Sequence, residues 1–78
     1  MYHTLEFRLN LVLDLETSPR NWLQQLKIEK GARLKSQLKP YVVETVDGPV
    51  EVADLFFDDG TVARAVVFAC FKFADEAD

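Results

Sequence analysis

Cysteine and histidine are almost missing from these 78 residues: there is one of each, Cys70 and His3. A single cysteine forms no intrachain disulfide, so the chain carries no framework of the secreted kind. A zinc site usually takes four ligands drawn largely from Cys and His, and only these two are present. No metal is therefore expected. Glycine is scarce as well. With only Gly31, Gly48 and Gly60, neither a phosphate-binding loop nor a dinucleotide fingerprint can be written. A Gly-x-Ser-x-Gly elbow is also missing, and Ser18 and Ser36 are the only serines. Long apolar runs are lacking too. The longest, Ala65 to Phe71, has seven residues, against about 20 for a membrane helix. The start of the chain shows no basic region followed by an apolar one, so no secretory signal is read. These absences point to a protein without catalytic apparatus or cofactor, off the membrane, in a reducing cytoplasm.

What is present describes one small folded domain. Hydrophobic residues make up 49%, with six Phe, one Trp and two Tyr, which excludes intrinsic disorder. A chain this short buries only about 60% of its surface on folding, so a partner or a second copy would add needed stability. The domain is expected to span residues 1–74, with Asp75, Glu76 and Asp78 forming an acidic, frayed tail 75–78.

Net charge is −4 but unevenly spread. Residues 1–26 carry −1. Residues 27–39, with Lys27, Lys30, Arg33, Lys35 and Lys39 against Glu29, carry +4, and residues 40–78 carry −7. A basic segment on an acidic body steers a partner or balances the fold internally.

The first segment has period two. Leu5, Phe7, Leu9, Leu11, Leu13 and Leu15 alternate with Thr4, Glu6, Arg8, Asn10, Val12 and Asp14, the pattern of a half-buried strand. Residues 3–14 would span roughly 40 Å at about 3.3 Å each, so a bend or coil is expected. Ser18 and Pro19 then resemble the start of a helix, and Pro40 a stop. The spacing of Trp22, Leu23, Leu26, Leu34 and Leu38 predicts one helix from Pro19 to Lys39. Three strands follow: Tyr41 to Val46, Val50 to Phe57, and Thr61 to Phe73. They are joined at Asp47-Gly48-Pro49 and Asp58-Asp59-Gly60.

The expected fold is α+β. It has the order β-α-β-β-β, with a four-stranded, mostly antiparallel sheet packed on one long helix. The last strand, apolar on both sides, belongs inside that sheet, beside the first. Strongly curved, this outline resembles the cystatin-like arrangement. The cystatin Gln-x-Val-x-Gly hairpin is not found, the corresponding turn reading Val46-Asp47-Gly48-Pro49-Val50, so the likeness is architectural and carries no activity.

One helix covers one sheet face, leaving Val62, Val66, Phe68 and Cys70 on the other, and uncovered apolar patches mark contact sites. The candidate interface is therefore Val66, Phe68 and Cys70, or the basic residues Lys27, Lys30, Arg33 and Lys35. His3 with Cys70 is the sole conceivable nucleophile–base pair, and a mid-strand cysteine reads more simply as a small hydrophobe. Asp58-Asp59-Gly60 lacks calcium-loop spacing and reads as a turn.

The expected function is a non-catalytic protein–protein interaction module: a small regulator, adaptor, inhibitor or accessory subunit, with a homodimer as one form. Nucleic acid is disfavoured as a partner by the acidic body. Alternatives are an acidic mimic or accessory factor acting on a nucleic-acid-binding system, and a small ligand-binding protein.

Overall fold

The computed structural model describes residues 1–17 and 22–74. The alternating leucines form strands as their spacing predicts. β1 (His3–Phe7) and β2 (Leu11–Thr17) bury Leu5, Phe7, Leu13 and Leu15 and turn Val12 and Asp14 to water. The bend expected in this long segment falls at residues 8–10, where Leu9 faces outward.

The helix is a misreading. Residues 22–39 form β3 (Trp22–Ile28), a corner at residues 29–32 and the first part of β4 (Arg33–Thr45). Gly31 makes the corner, with φ +91°, a backbone region open to glycine and strained for other residues. Leu34, Ser36 and Leu38 alternate inward between exposed Arg33, Lys35, Gln37 and Lys39. Ser36 occupies a buried slot where a strand pattern would show an apolar residue, which hides the period of two. The Ser18–Pro19 helix start and the tail 75–78 lie outside the described residues.

β5 (Gly48–Phe57) and β6 (Thr61–Val67) follow; the second turn falls at Asp58-Asp59-Gly60 as expected, and the first at Val46-Asp47, with Gly48 and Pro49 already paired in β5. The last run then breaks into a 3-10 turn (Phe68–Cys70) and β7 (Phe71–Phe73). No α-helix occurs among the described residues, so the α+β and cystatin-like expectations are both overturned. The seven strands form one antiparallel sheet in the order β3-β2-β6-β5-β4-β1-β7, curled into a half-barrel.

Register explains the curl. Glu6 faces Arg33 and Leu11 faces Ile28, with four residues between on each side, so residues 3–17 keep one register against β4 and β3. On their other edge they keep a second register, Phe7 facing Phe71 and Leu15 facing Ala63. β4 pairs with β5, and β5 with β6. Four lengths of chain thus pair in a circuit, each bonded to two others. At the bend the backbone stays satisfied. The Phe7 N–H donates to Ala32 O (2.9 Å), the Gly31 N–H to Phe7 O (2.8 Å) and the Arg8 N–H to Cys70 O (2.8 Å). The concave side holds the core, with Leu5, Phe7 and Leu55 fully enclosed. Each is worth about 1.5–3 kcal/mol relative to exposure.

Candidate functional site

The basic residues do not share a helix face. Lys27 lies on β3, Lys30 on the corner, and Arg33 and Lys35 on β4, all exposed. Arg33 is held by Glu6 at 3.1 Å, and Lys72 reaches the same carboxylate at 3.6 Å. The hydrogen bond from Arg33 holds the Glu6 carboxyl below its ordinary pKa, against the opposing effect of desolvation. Among the described residues no carboxylate lies within ion-pair distance of Lys27, Lys30 or Lys35.

The uncovered sheet face expected around the last strand is not formed. Val66 is in the core, and half-buried Phe68 and Cys70 pack against it from the 3-10 turn. Phe68 leans on Phe71 with ring centroids 5.3 Å apart. The reason is that alternation resets at Ala65 and again at the 3-10 turn, so residues 65–71 are not one two-sided strand. His3 packs edge-on against Phe73 at 5.2 Å. Cys70 meets the chain at Arg8, five residues further along, roughly 16 Å away at strand spacing. The two do not form a thiol–imidazole pair. At the second turn the Asp59 carboxylate accepts the Thr61 hydroxyl (2.6 Å) and N–H (3.0 Å), which lower its pKa. No cluster of three or more metal-ligating side chains occurs among the described residues.

Two features escaped the sequence reading. The first is a carboxylate in the sheet. Ala65 has φ +55°, a strained conformation for a residue with a Cβ. It bulges β6 opposite Asp54, where the β5–β6 register slips. The Ala65 N–H thereby turns to Asp54 Oδ1 at 2.9 Å, and the Tyr41 hydroxyl donates to the same oxygen at 2.8 Å. Arg64 Nη1 reaches Oδ2 at 3.0 Å, and its Nε reaches Glu16 at 3.1 Å. Burial opposes the Asp54 charge, but the Ala65, Tyr41 and Arg64 donors outweigh it and hold the pKa below the ordinary value. The bond to Asp54 pushes the Tyr41 phenol up. Apart from the Arg64 Nε bond to Glu16, every donor is aimed at the Asp54 carboxylate, which is thereby satisfied, so this is a structural tie.

The second is the hairpin that this tie anchors. β1 pairs with β4 only as far as Ser36, and β6 pairs with β5 only from Val52 onward. Beyond them residues 40–52 project as a two-stranded ribbon bearing exposed Tyr41, Val42 and fully exposed Val46. Its faces follow from register. Val42 lies opposite Glu51, and Glu44 opposite Pro49. The inward bonds of Ala32 to β1 show that even-numbered residues of β4 turn their backbone polar groups to that side. Pro40 therefore places its missing N–H on the free edge, and Pro49 does so on the other side of the ribbon. Both edges are blunted against strand addition, which leaves the side-chain faces for contact. The sequence signal was available: two prolines inside long β-rich runs mark edge positions.

At the opposite end, the corner carries a shallow groove of about 310 Å³ lined by Asn10, Leu11, Val12, Lys27, Ile28 and Glu29. Leu9 and Val12 are exposed there. No protein-family model matches the chain, and no curated protein or solved structure was found to be similar to it. No helix among the described residues is long and apolar enough to cross a membrane.

Proposed function

We propose that this is a non-catalytic protein–protein interaction module of the cytoplasm, and that its contact element is the ribbon of residues 40–52. The observation that carries this is the overhang of β4 and β5 beyond their neighbours, with Tyr41, Val42 and Val46 in water. A lone two-stranded ribbon is marginal in water. Here it is held out from the body by the Tyr41–Asp54 bond and by its continuity with the sheet. Apolar side chains presented on a supported arm favour burial against another surface, each worth about 1.5–3 kcal/mol when fully covered. The basic residues and the Val66–Phe68–Cys70 region support the reading less: the former are dispersed over three elements, and the latter is largely core.

The test is affinity purification of the tagged chain from its native cell, beside a Val42→Asn, Val46→Asn variant of unchanged thermal stability. Loss of a specific bound protein in the variant upholds the reading. A bound protein retained equally by both, or none bound by either, overturns it.

A further inference from the structure

We infer that the surface covering the ribbon is the corner of a second copy of this chain, the two copies lying antiparallel so that each ribbon meets the other's corner. This rests on the interaction reading above and names its partner.

Charge is the first argument. Residues 40–52 carry Glu44, Asp47 and Glu51 and no base, net −3. The corner together with the strand ends beside it, residues 8–12 and 27–33, carries Arg8, Lys27, Lys30 and Arg33 against Glu29; Arg33 is already held by Glu6, which leaves a net of +2 facing outward. Lys27 and Lys30, like the three acids of the ribbon, have no ion pair among the described residues.

The second argument is pattern. On the ribbon, Val42 sits directly opposite Glu51; on the corner, Val12 sits directly opposite Lys27. Cross-strand neighbours are about 5 Å apart, so each surface presents an exposed valine beside one charge, with opposite signs. Laid face to face, Val42 meets Val12 and Leu9, Glu51 meets Lys27, and the ribbon tip with Val46 and Asp47 reaches toward Lys30. The groove at the corner supplies the concavity.

Geometry makes the contact intermolecular. Corner and tip are separated by the 13 residues of β4, about 40 Å of strand, in a molecule 37 Å long. Blunted edges make this a contact of side-chain faces. An antiparallel pair repeats the contact twice about a two-fold axis, which doubles the buried area available to a small protein.

The test is sedimentation velocity of the full chain over a range of concentrations, at low and high salt. The wild type should associate with rising concentration, and less so in high salt. Lys27→Glu alone and Glu51→Lys alone should each weaken association at least about tenfold. An equimolar mixture of the two, and the double variant in one chain, should regain it, because both contacts are again of opposite sign. Both positions are exposed, and circular dichroism confirms folding; where a reversal fails to fold, Lys27→Gln and Glu51→Gln replace it and are read for weakened association alone. A wild type that stays monomeric throughout, association indifferent to the reversals, or a mixture that remains monomeric overturns the inference. A monomer that still loses a different bound protein on Val42→Asn, Val46→Asn substitution removes the second copy as partner and leaves the interaction reading standing.

Discussion

Replacing Asp54 by alanine strips the acceptor from three donors at once. The Ala65 N–H and Tyr41 hydroxyl each donate to Oδ1, at 2.9 and 2.8 Å, and hydrogen bonds to a charged acceptor are worth about 1.5–3 kcal/mol each. Arg64 adds little. Its side chain is 56% exposed, and solvent screens such an ion pair. Against this stands the cost of holding a carboxylate out of water, which the alanine relieves. The net loss is about 2–4 kcal/mol, a large share of the roughly 5–15 kcal/mol that holds a domain together. For a chain of this size the melting temperature should fall by roughly 10–25 °C, read by circular dichroism at pH 7. Asp54→Asn keeps one acceptor oxygen and should lose less. The pH dependence gives a second reading. The folded-state pKa of Asp54 is depressed, so its contribution is complete above the unfolded value of about 3.9 and is lost as pH falls through the lower folded value. The gap between wild type and Asp54→Ala should be full at pH 7 and close in strong acid. A variant within about 0.5 kcal/mol of wild type at pH 7, or a gap that stays constant into acid, would refute the reasoning.

Other consequences follow from the backbone and the phenol. Ala65→Gly removes a left-handed strain of about 1–2 kcal/mol and adds unfolded-state entropy worth about 0.4–1 kcal/mol; melting should rise by a few degrees, and a fall would mean that φ +55° is not strained. Gly31→Ala meets no atom within 4 Å but must adopt φ +91°, so chemical denaturation should show a loss of about 1 kcal/mol. In a Tyr2→Phe background, absorbance titration of Tyr41 should show a midpoint above 10.0, moving down when Asp54→Asn removes the charge that opposes the phenolate.

The strand content of residues 3–17 and of the last two hairpin turns was readable because alternation and turn chemistry agree there. Residues 22–39 were not. Lys, Leu, Gln, Glu, Arg and Ala are good helix formers, and the buried polar Ser36 masks the inward series Leu34–Ser36–Leu38. What decides the matter is pairing with residues 3–17: residues 22–28 against β2, and residues 33–36 against β1. Such long-range pairing overrides local preference. The open sheet face expected around Val66 is not formed, for a related reason. A left-handed residue at Ala65 and a 3-10 turn at Phe68–Cys70 shift the inward series by one residue each time, and no composition rule announces either. The Asp54 tie was invisible because its main donor is the N–H of that same bulge.

The position of β1 between β4 and β7 has a kinetic consequence. Leu5 and Phe7 are paired with residues 71–73, more than sixty residues away along the chain. Such a wiring has high contact order, and chains of this kind fold slowly, with sticky surface open for longer. Trimming Phe71–Phe73 would therefore do more than shorten an edge. It would uncover Leu5 and Phe7 and leave apolar surface prone to clump.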